Sequence, residues 1–238
     1  MKMLKSVFAG MLLLSSAYLQ AQTVDEVIDK HIAAIGGKDV ISKIKSQVVD
    51  ADLSVMGSTL TSKTYILVGK GFRNEANFNG QEIIQVVTPT QGWMINPLQG
   101  MTDAQPLPED QVKGAQSAFD LGGDLFNYKE KGSKAELAGN ESVEGVNALK
   151  IKLTNKDGKV STFFLDPNTY YVVKREATQE FNGQEMTTSS TFSNFKKTDI
   201  GYVMPFTTVS QQGFEITINV TKVEFNKEID PKIFDMPK

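Results

Sequence analysis

The spacing of apolar residues changes once along the chain, close to Ser46. Before that point apolar residues recur at helical spacing, at Val24, Val27, Ile28, Ile32 and Ile35. This spacing predicts an amphipathic helix. Thr23 and Glu26 have the spacing of a capping box at its start, and Gly36-Gly37 ends it because glycine readily adopts the left-handed conformation there. A second, shorter helix is predicted over 39–45.

After Ser46, short runs of alternating apolar and polar residues predict strands joined by tight turns. Twelve strands are predicted, over 46–56, 59–69, 72–78, 81–88, 91–96, 134–142, 147–155, 159–165, 169–180, 184–195, 199–211 and 213–225. Asn79-Gly80, Asp157-Gly158 and Asn182-Gly183 are typical of type I′ hairpin turns, and Asp166-Pro167-Asn168 is typical of a type I turn. Such short connections make neighbouring strands antiparallel.

A segment without the alternating pattern of strands separates the two groups of strands. Residues 97–107 show little periodicity and predict a loop, and 108–124 predict a helix that Gly122-Gly123 would end. The predicted fold class is therefore mainly β with helices (α+β), with residues 22–238 forming one domain. About twelve strands are too many for a flat open sheet, so we expect a curled antiparallel sheet, an incomplete β-barrel covered by the N-terminal and central helices.

Residues 1–21 have the order of a cleavable signal peptide. Lys2 and Lys5 precede an apolar run from Val7 to Leu14, and Leu19-Gln20-Ala21 offers a cleavage site. The apolar run is shorter than the roughly 20 residues that span a bilayer. We therefore expect export to the periplasm. A buried N-terminal helix is the alternative.

Composition narrows the function classes. The 238 residues include 25 basic and 28 acidic ones, and loss of residues 1–21 would change the net charge from −3 to −5. Mild acidity does not favour a nucleic-acid partner. The chain has no cysteine, which excludes disulfides, thiol catalysis, cysteine-ligated metals and lipid attachment at cysteine. No segment of the mature chain is predicted to cross a membrane.

Candidate catalytic groups are few. His31 is the only histidine, lies in the first predicted helix and has no partner residue near it in sequence. There is no G-x-S-x-G elbow, P-loop, dinucleotide fingerprint or H-E-x-x-H, so we predict no catalytic residues, no cofactor and no metal site. Carboxylates around the central segment leave a glycosidase-like pair open; these are Asp103, Glu109, Asp110, Asp120 and Asp124.

Apolar residues offer the better site. A curled sheet with a helical cover can enclose an apolar pocket, the usual kind of small-molecule site. The predicted ligand-binding residues lie on the early strands and in the central segment: Phe72, Ile84, Val86, Trp93, Phe119, Leu121 and Phe126. A packed core is the alternative for each of them.

Several stretches resemble the outer-membrane lipoprotein-sorting proteins, the Lol-type carrier superfamily, and most of all its divergent Bacteroidetes members. Ile28 to Ile44 is similar to the family's opening helix, double glycine and second helix. Gly71-Phe72-Arg73 and the later Gly92 to Pro97 resemble the family's Phe-containing strand and its G-x-x-W-x-Y-x-P pattern, with Ile95 in place of tyrosine. The hairpin from Gly145 to Pro167 and the regions Gly201 to Pro205 and Ile229 to Pro237 resemble the family's later strands and closing tail.

The resemblance implies an incomplete barrel that shields lipoprotein acyl chains, or another lipid, and passes them between donor and acceptor proteins at the inner and outer membranes. In this family a basic residue of the early strands helps to hold the helical lid closed, and Arg73 or Lys70 matches it. The leading hypothesis is thus a non-enzymatic carrier of a lipid ligand. A β-rich interaction module with a packed core is the second hypothesis, and a hydrolase using the central carboxylates is the third.

Overall fold

A computed structural model describes residues 22–181, 184–211 and 213–237. The predicted signal peptide therefore lies outside the described residues. Three α-helices are present in this part of the chain, α1 (Val24–Ala34), α2 (Lys38–Ile41) and α3 (Glu109–Gly114). Strands β1 to β6 are Ser46–Val55, Ser58–Leu67, Gly71–Phe78, Gln81–Val87, Gly92–Asn96 and Met101–Pro106. Strands β7 to β13 are Lys134–Val143, Val146–Thr154, Val160–Leu165, Val172–Phe181, Gln184–Lys197, Val203–Gln211 and Glu215–Phe225.

The described strands form one antiparallel sheet of thirteen, in the order β6-β5-β4-β3-β2-β1-β13-β12-β11-β10-β9-β8-β7. Two meanders, β1 to β6 and β7 to β13, are joined where β1 pairs with β13. Within the described residues the edge strands β6 and β7 do not pair with each other, so the barrel is open. The predicted fold class, an incomplete antiparallel barrel with helices, is confirmed.

β6 was not predicted, because residues 97–107 read as a loop. The segment instead forms a 3₁₀ turn at Pro97–Gln99 followed by Met101–Pro106, which pairs with β5. An edge strand tolerates proline because one row of its N–H groups has no neighbour to bond. The weak periodicity of this strand follows from its exposure, since four of its six residues are exposed.

The predicted helix over 108–124 is shorter than expected. α3 ends at Gly114, a 3₁₀ turn covers Gln116–Phe119, and residues 121–132 form successive turns. The side-chain amide of Gln116 donates to the carbonyl oxygens of Val112 and Thr88 at 2.9 and 3.2 Å. This contact fixes the segment after α3 to the turn that follows β4.

Turn chemistry was predicted with mixed success. Asn79 and Gly80 both have positive φ, at 51° and 82°, as a type I′ turn requires. At Asp157-Gly158 only Gly158 has positive φ, so the type I′ prediction is wrong there. The Asn155 side-chain oxygen accepts from the backbone N–H groups of Asp157 and Lys159 and sets a different loop. Asn182-Gly183 lies outside the described residues.

The predicted start and end of α1 are confirmed. The Thr23 hydroxyl accepts from the Glu26 N–H, and the Glu26 carboxylate accepts from the Thr23 N–H. Gly36 then has a φ of 126°, and a Cβ there would lie 2.9 Å from the Gly201 carbonyl oxygen. The Val203 N–H donates to the Ile35 carbonyl at 2.9 Å, so the end of α1 is tied to the start of β12.

The C-terminal residues cross the sheet on one face. A 3₁₀ turn at Pro231–Phe234 places the buried Phe234 ring against β3, and the Trp93 indole N–H donates to the Phe234 carbonyl at 3.0 Å. Ile229 and Ile233 pack beside them. We call residues 226–237 the C-terminal tail.

Gly71 is the point of closest approach between β3 and the tail. A Cβ at Gly71 would lie 2.8 Å from a ring carbon of Phe234, which is enclosed by Trp93 and cannot retreat freely. We expect Gly71→Ala to lower the free energy of unfolding by about 1–3 kcal/mol, measured by urea denaturation. Gly114→Ala is the control, because no atom lies within 4 Å of its Cβ position. Equal stability of the two variants would contradict the tail's packing role.

Candidate functional site

Side chains alternate between two faces of the sheet, and the pairing registers define each face. Phe72 of β3 lies opposite Val87 of β4, and Phe163 of β9 lies opposite Ile151 of β8. We call the face that carries these residues the inner face, because α1 and α3 both pack against it. The C-terminal tail lies on the opposite, outer face.

The first cover of the inner face is α1. Its buried side chains Val27, Ile28 and Ile32 join a cluster with Ile151 and Phe163. Asp25 fixes α1 to the turns of residues 121–132, because its carboxylate accepts hydrogen bonds from the Tyr128 hydroxyl and the Lys129 ammonium. The bond from Lys129, together with that from Tyr128, lowers the pKa of Asp25.

The second cover is α3 with its 3₁₀ turn. Val112 and Phe119 pack on Ile66 and Val87, with Phe72 and Leu121 at the margin of this cluster. Three predicted ligand-binding residues, Phe72, Phe119 and Leu121, are therefore brought together. Phe126 packs instead in the α1 cluster.

The remaining predicted residues lie on the outer face. Since Phe72 and Val87 point inward, their neighbours along β4, Val86 and Ile84, point outward, as does Trp93, the partner of Val86. All three are buried beneath the C-terminal tail. The expectation that they share a lining with Phe72 is corrected by this alternation.

Arg73 also lies on the outer face. Its guanidinium donates to the Ile233 carbonyl at 2.8 Å and to Glu75, and it lies 5.5 Å from the centre of the Trp93 ring. Lys70 is exposed in the turn between β2 and β3. The described contacts of Arg73 fasten the C-terminal tail on the face opposite the helices, and the lid-holding role of Arg73 or Lys70 stays a prediction.

Part of the inner face carries apolar residues that lie outside the clusters beneath α1 and α3. On neighbouring strands Leu60 lies opposite Leu53, and Leu53 lies opposite Ile218; one step further along, Val55 lies opposite Ile216. All five are partly exposed, and within the described residues none belongs to the buried clusters. We call these five residues the apolar strip. It is an uncovered hydrophobic surface inside a curled sheet, next to two covered ones.

Charged groups occur at the edge of the α1 cluster, and the basic one, Arg175, was not predicted from the sequence. Arg175 of β10 donates from Nη2 to Asp124 at 2.8 Å and to the Ser161 hydroxyl at 3.2 Å. Nearby, the Tyr202 hydroxyl donates to the Leu121 carbonyl at 3.4 Å, and burial, with the charge of Asp120, raises the pKa of Tyr202 to about 12. The sequence signal for Arg175 was the alternation of side chains along β10, which groups it with Ala177 on one face of the strand.

Three of the five candidate carboxylates are paired with cations. Asp120 pairs with Lys131, Asp124 with Arg175, and Glu109 with Lys113. The hydrogen bond from Lys113 lowers the pKa of Glu109, whereas a carboxyl that acts as a general acid needs a raised one. Among the described residues no group of three or more His, Asp or Glu side chains is placed to hold a metal ion.

A separate cleft of about 490 Å³ opens where the end of α1 meets β11 and β12. Tyr171 and Phe195 stack in its wall with ring centres 4.6 Å apart, beside Lys197.

In the described part of the chain no helix is both long enough and apolar enough to span a membrane.

His31 is part of the packed interior beneath α1. The ring is buried, and Nδ1 lies 2.8 Å from the Tyr170 carbonyl oxygen, so the neutral ring donates from Nδ1. Burial lowers the pKa of His31 below its ordinary value of 6.5.

This burial predicts a pH dependence of stability. As the pH falls below 6.5, the unfolded chain binds a proton on His31 that the folded chain does not, so the free energy of unfolding decreases, by up to about 1.4 kcal/mol per pH unit. The stabilisation is complete above that pH. His31→Asn keeps a donor for Tyr170 without titrating, and we expect urea denaturation at pH 7.5, 6.5 and 5.5 to show a shallower decline. Parallel declines would contradict the assignment.

No protein-family model matches the sequence, and no curated protein matches it. Solved structures do. The fold is similar to that of a DUF1329 family protein from Desulfovibrio piger, with a TM-score of 0.59, 14% identity, and coverage of 89% of this chain and 97% of the other. It is also similar to a putative outer membrane lipoprotein-sorting protein domain from Vibrio parahaemolyticus, with a TM-score of 0.57, 16% identity, and coverage of 88% of this chain and 95% of the other. For a LolA superfamily protein from Nitrosomonas europaea the TM-score is 0.57 at 14% identity, with coverage of 90% of this chain and 98% of the other. The chain thus shares the open-barrel fold of these three structures.

Proposed function

We propose that this protein is a non-enzymatic periplasmic carrier of an acyl chain, belonging either to a lipoprotein or to another lipid. The observation that carries the proposal is the apolar strip, five partly exposed apolar side chains on the inner face of an open barrel. Uncovered apolar surface on the inside of a fold is typical of a binding site. Residues 22–238 form the carrier domain in this proposal, after cleavage of the signal peptide.

The driving force is burial of hydrocarbon. Each buried methylene contributes about 0.8 kcal/mol, so a chain of about sixteen carbons gains on the order of 10 kcal/mol before the entropy costs of association. In this proposal Phe72, Phe119 and Leu121, which pack in the α3 cluster, form one end of the binding space. Of the residues predicted from sequence, these three belong in the proposed lining with the apolar strip; Phe126 borders it from the α1 cluster.

The fold likeness supports the ligand class. Two of the similar structures are described as a lipoprotein-sorting domain and a LolA superfamily protein. We propose by analogy that the chain receives its cargo from a donor at the inner membrane and delivers it to an acceptor at the outer membrane. Nucleic acid has no part in this function.

The second candidate is an interaction module. Met56 and Phe214 are large apolar side chains on the turns beside the paired residues Val55 and Ile216, and they are 82% and 45% exposed. Exposed apolar side chains on neighbouring turns are typical of a protein contact. This candidate predicts that no acyl chain binds saturably.

Substitution on the inner face separates the two candidates. Ile218→Asn places an amide in the apolar strip, and we expect it to weaken binding of a pyrene-labelled fatty acid about tenfold, measured by fluorescence titration. Val209→Asn is the matched control, because Val209 lies on β12 beside Thr217, on the outer face. It should leave the affinity unchanged.

Lipid analysis provides an independent readout. Mass spectrometry of the purified wild-type protein should detect co-purified acyl lipid, and Ile218→Asn should reduce it. If wild type binds no acyl probe and carries no lipid, the carrier proposal is wrong and the interaction module remains.

A further inference from the structure

Arg175 is one of two charged side chains on a largely uncharged surface. On β1 to β4 and β8 to β13, the alternation places two charged side chains on the inner face among the described residues, Arg175 and Lys196. Lys196 is exposed near the end of β11, above the Phe206 ring. Arg175 lies further inside, with its guanidinium 5.6 Å from the centre of the Phe163 ring. The Arg175 side chain is 36% exposed, so part of it is accessible to a ligand.

The hydrogen bonding of Arg175 is incomplete. Nη2 is engaged by Asp124 and Ser161, but Nε is buried and has no hydrogen-bond partner in the described part of the chain. Nε and Nη2 form one edge of the guanidinium, and that edge matches the two oxygens of a carboxylate or phosphate. Asp124 contacts only half of it. The edge is therefore suited to an oxyanion that bonds both nitrogens.

Arg175 is also aligned with the apolar strip. Across the sheet Arg175 lies opposite Ser190, Ser190 opposite Ser210, Ser210 opposite Ile216, and Ile216 opposite Val55. The two serine hydroxyls between them are 2.8 Å apart. Three strand spacings of about 4.8 Å separate Arg175 from Ile216, about 14 Å in all. The row thus runs from a cation, across two hydroxyls, to an apolar surface, which is the polarity of an amphiphile with an anionic head.

We propose that Arg175 binds the oxyanion of the ligand's headgroup, a carboxylate or a phosphate, while the acyl chain lies on the apolar strip. The headgroup bonds Nε and Nη2 and takes the place of Asp124 at Nη2. The ligand class is therefore an anionic amphiphile. This inference rests on the proposed carrier function and adds the chemistry of the head to that of the chain.

The test compares ligands that share a chain and differ in the head. Dodecanoate, dodecyl phosphate and dodecanol are titrated at pH 8 against the wild-type protein by displacement of an uncharged fluorescent acyl probe. We expect at least one of the two anions to bind about tenfold more tightly than the alcohol, as for a hydrogen bond between charged groups. The tighter anion identifies the headgroup as carboxylate or phosphate.

Three variants assign that preference to the guanidinium. Arg175→Gln should bind all three ligands with about the affinity of the alcohol, and Asp124→Asn should increase the preference for the anion because the competing carboxylate is gone. Lys174→Gln removes the neighbouring cation, which lies on the outer face over the Phe164 ring, and should leave the preference unchanged. Thermal unfolding verifies that each variant is folded.

The outcomes separate this inference from the carrier function. Equal binding of anions and alcohol by the wild type, or an anion preference that survives in Arg175→Gln, overturns the headgroup role and leaves the carrier function standing. If none of the three ligands displaces the probe, the carrier function fails and the headgroup role fails with it.

Discussion

The pairing of β1 with β13 is the constraint on which the molecule depends. It joins residues that are about 170 positions apart in the chain, from Gln47 opposite Phe225 to Val55 opposite Ile216. A register shift at Asp50 and Ala51 interrupts the ladder, and the Thr221 hydroxyl donates to the Asp50 carbonyl there. Such a bulge bends and twists a strand. Without this pair the two meanders would be separate sheets, and α1 and α3 would have no inner face in common.

Much of the architecture was accessible from local sequence signals. The capping box at Thr23, the turn at Asn79-Gly80 and the alternation of the strands depend on nearest neighbours, and they are predicted correctly. The edge strand β6 and the early end of α3 were missed, because pairing to β5 and the contact of Gln116 with Thr88 decide them. Such contacts bring together residues that no local pattern relates.

The candidate site was harder to predict than the fold. Alternation separates the residues of one strand into two sets, but it does not say which set faces the helices. Trp93, Ile84 and Val86 were therefore grouped with Phe72, although the C-terminal tail covers them on the other face. The tail is the decisive element, because a second apolar layer on the outer face makes both sides of β3 to β5 hydrophobic. Arg175 was missed for a related reason: alternation groups it with Ala177, but does not show that this set of side chains faces inward.

The gap between β6 and β7 has a mechanical consequence. In a closed barrel the number of strands and their stagger fix the radius, so the interior has one size. Here no hydrogen-bond ladder connects the two edges among the described residues, and residues 107–133, which include α3, link β6 to β7 instead. The circumference is therefore not fixed by backbone pairing. A small change of twist alters the girth of the interior without the loss of any strand pair.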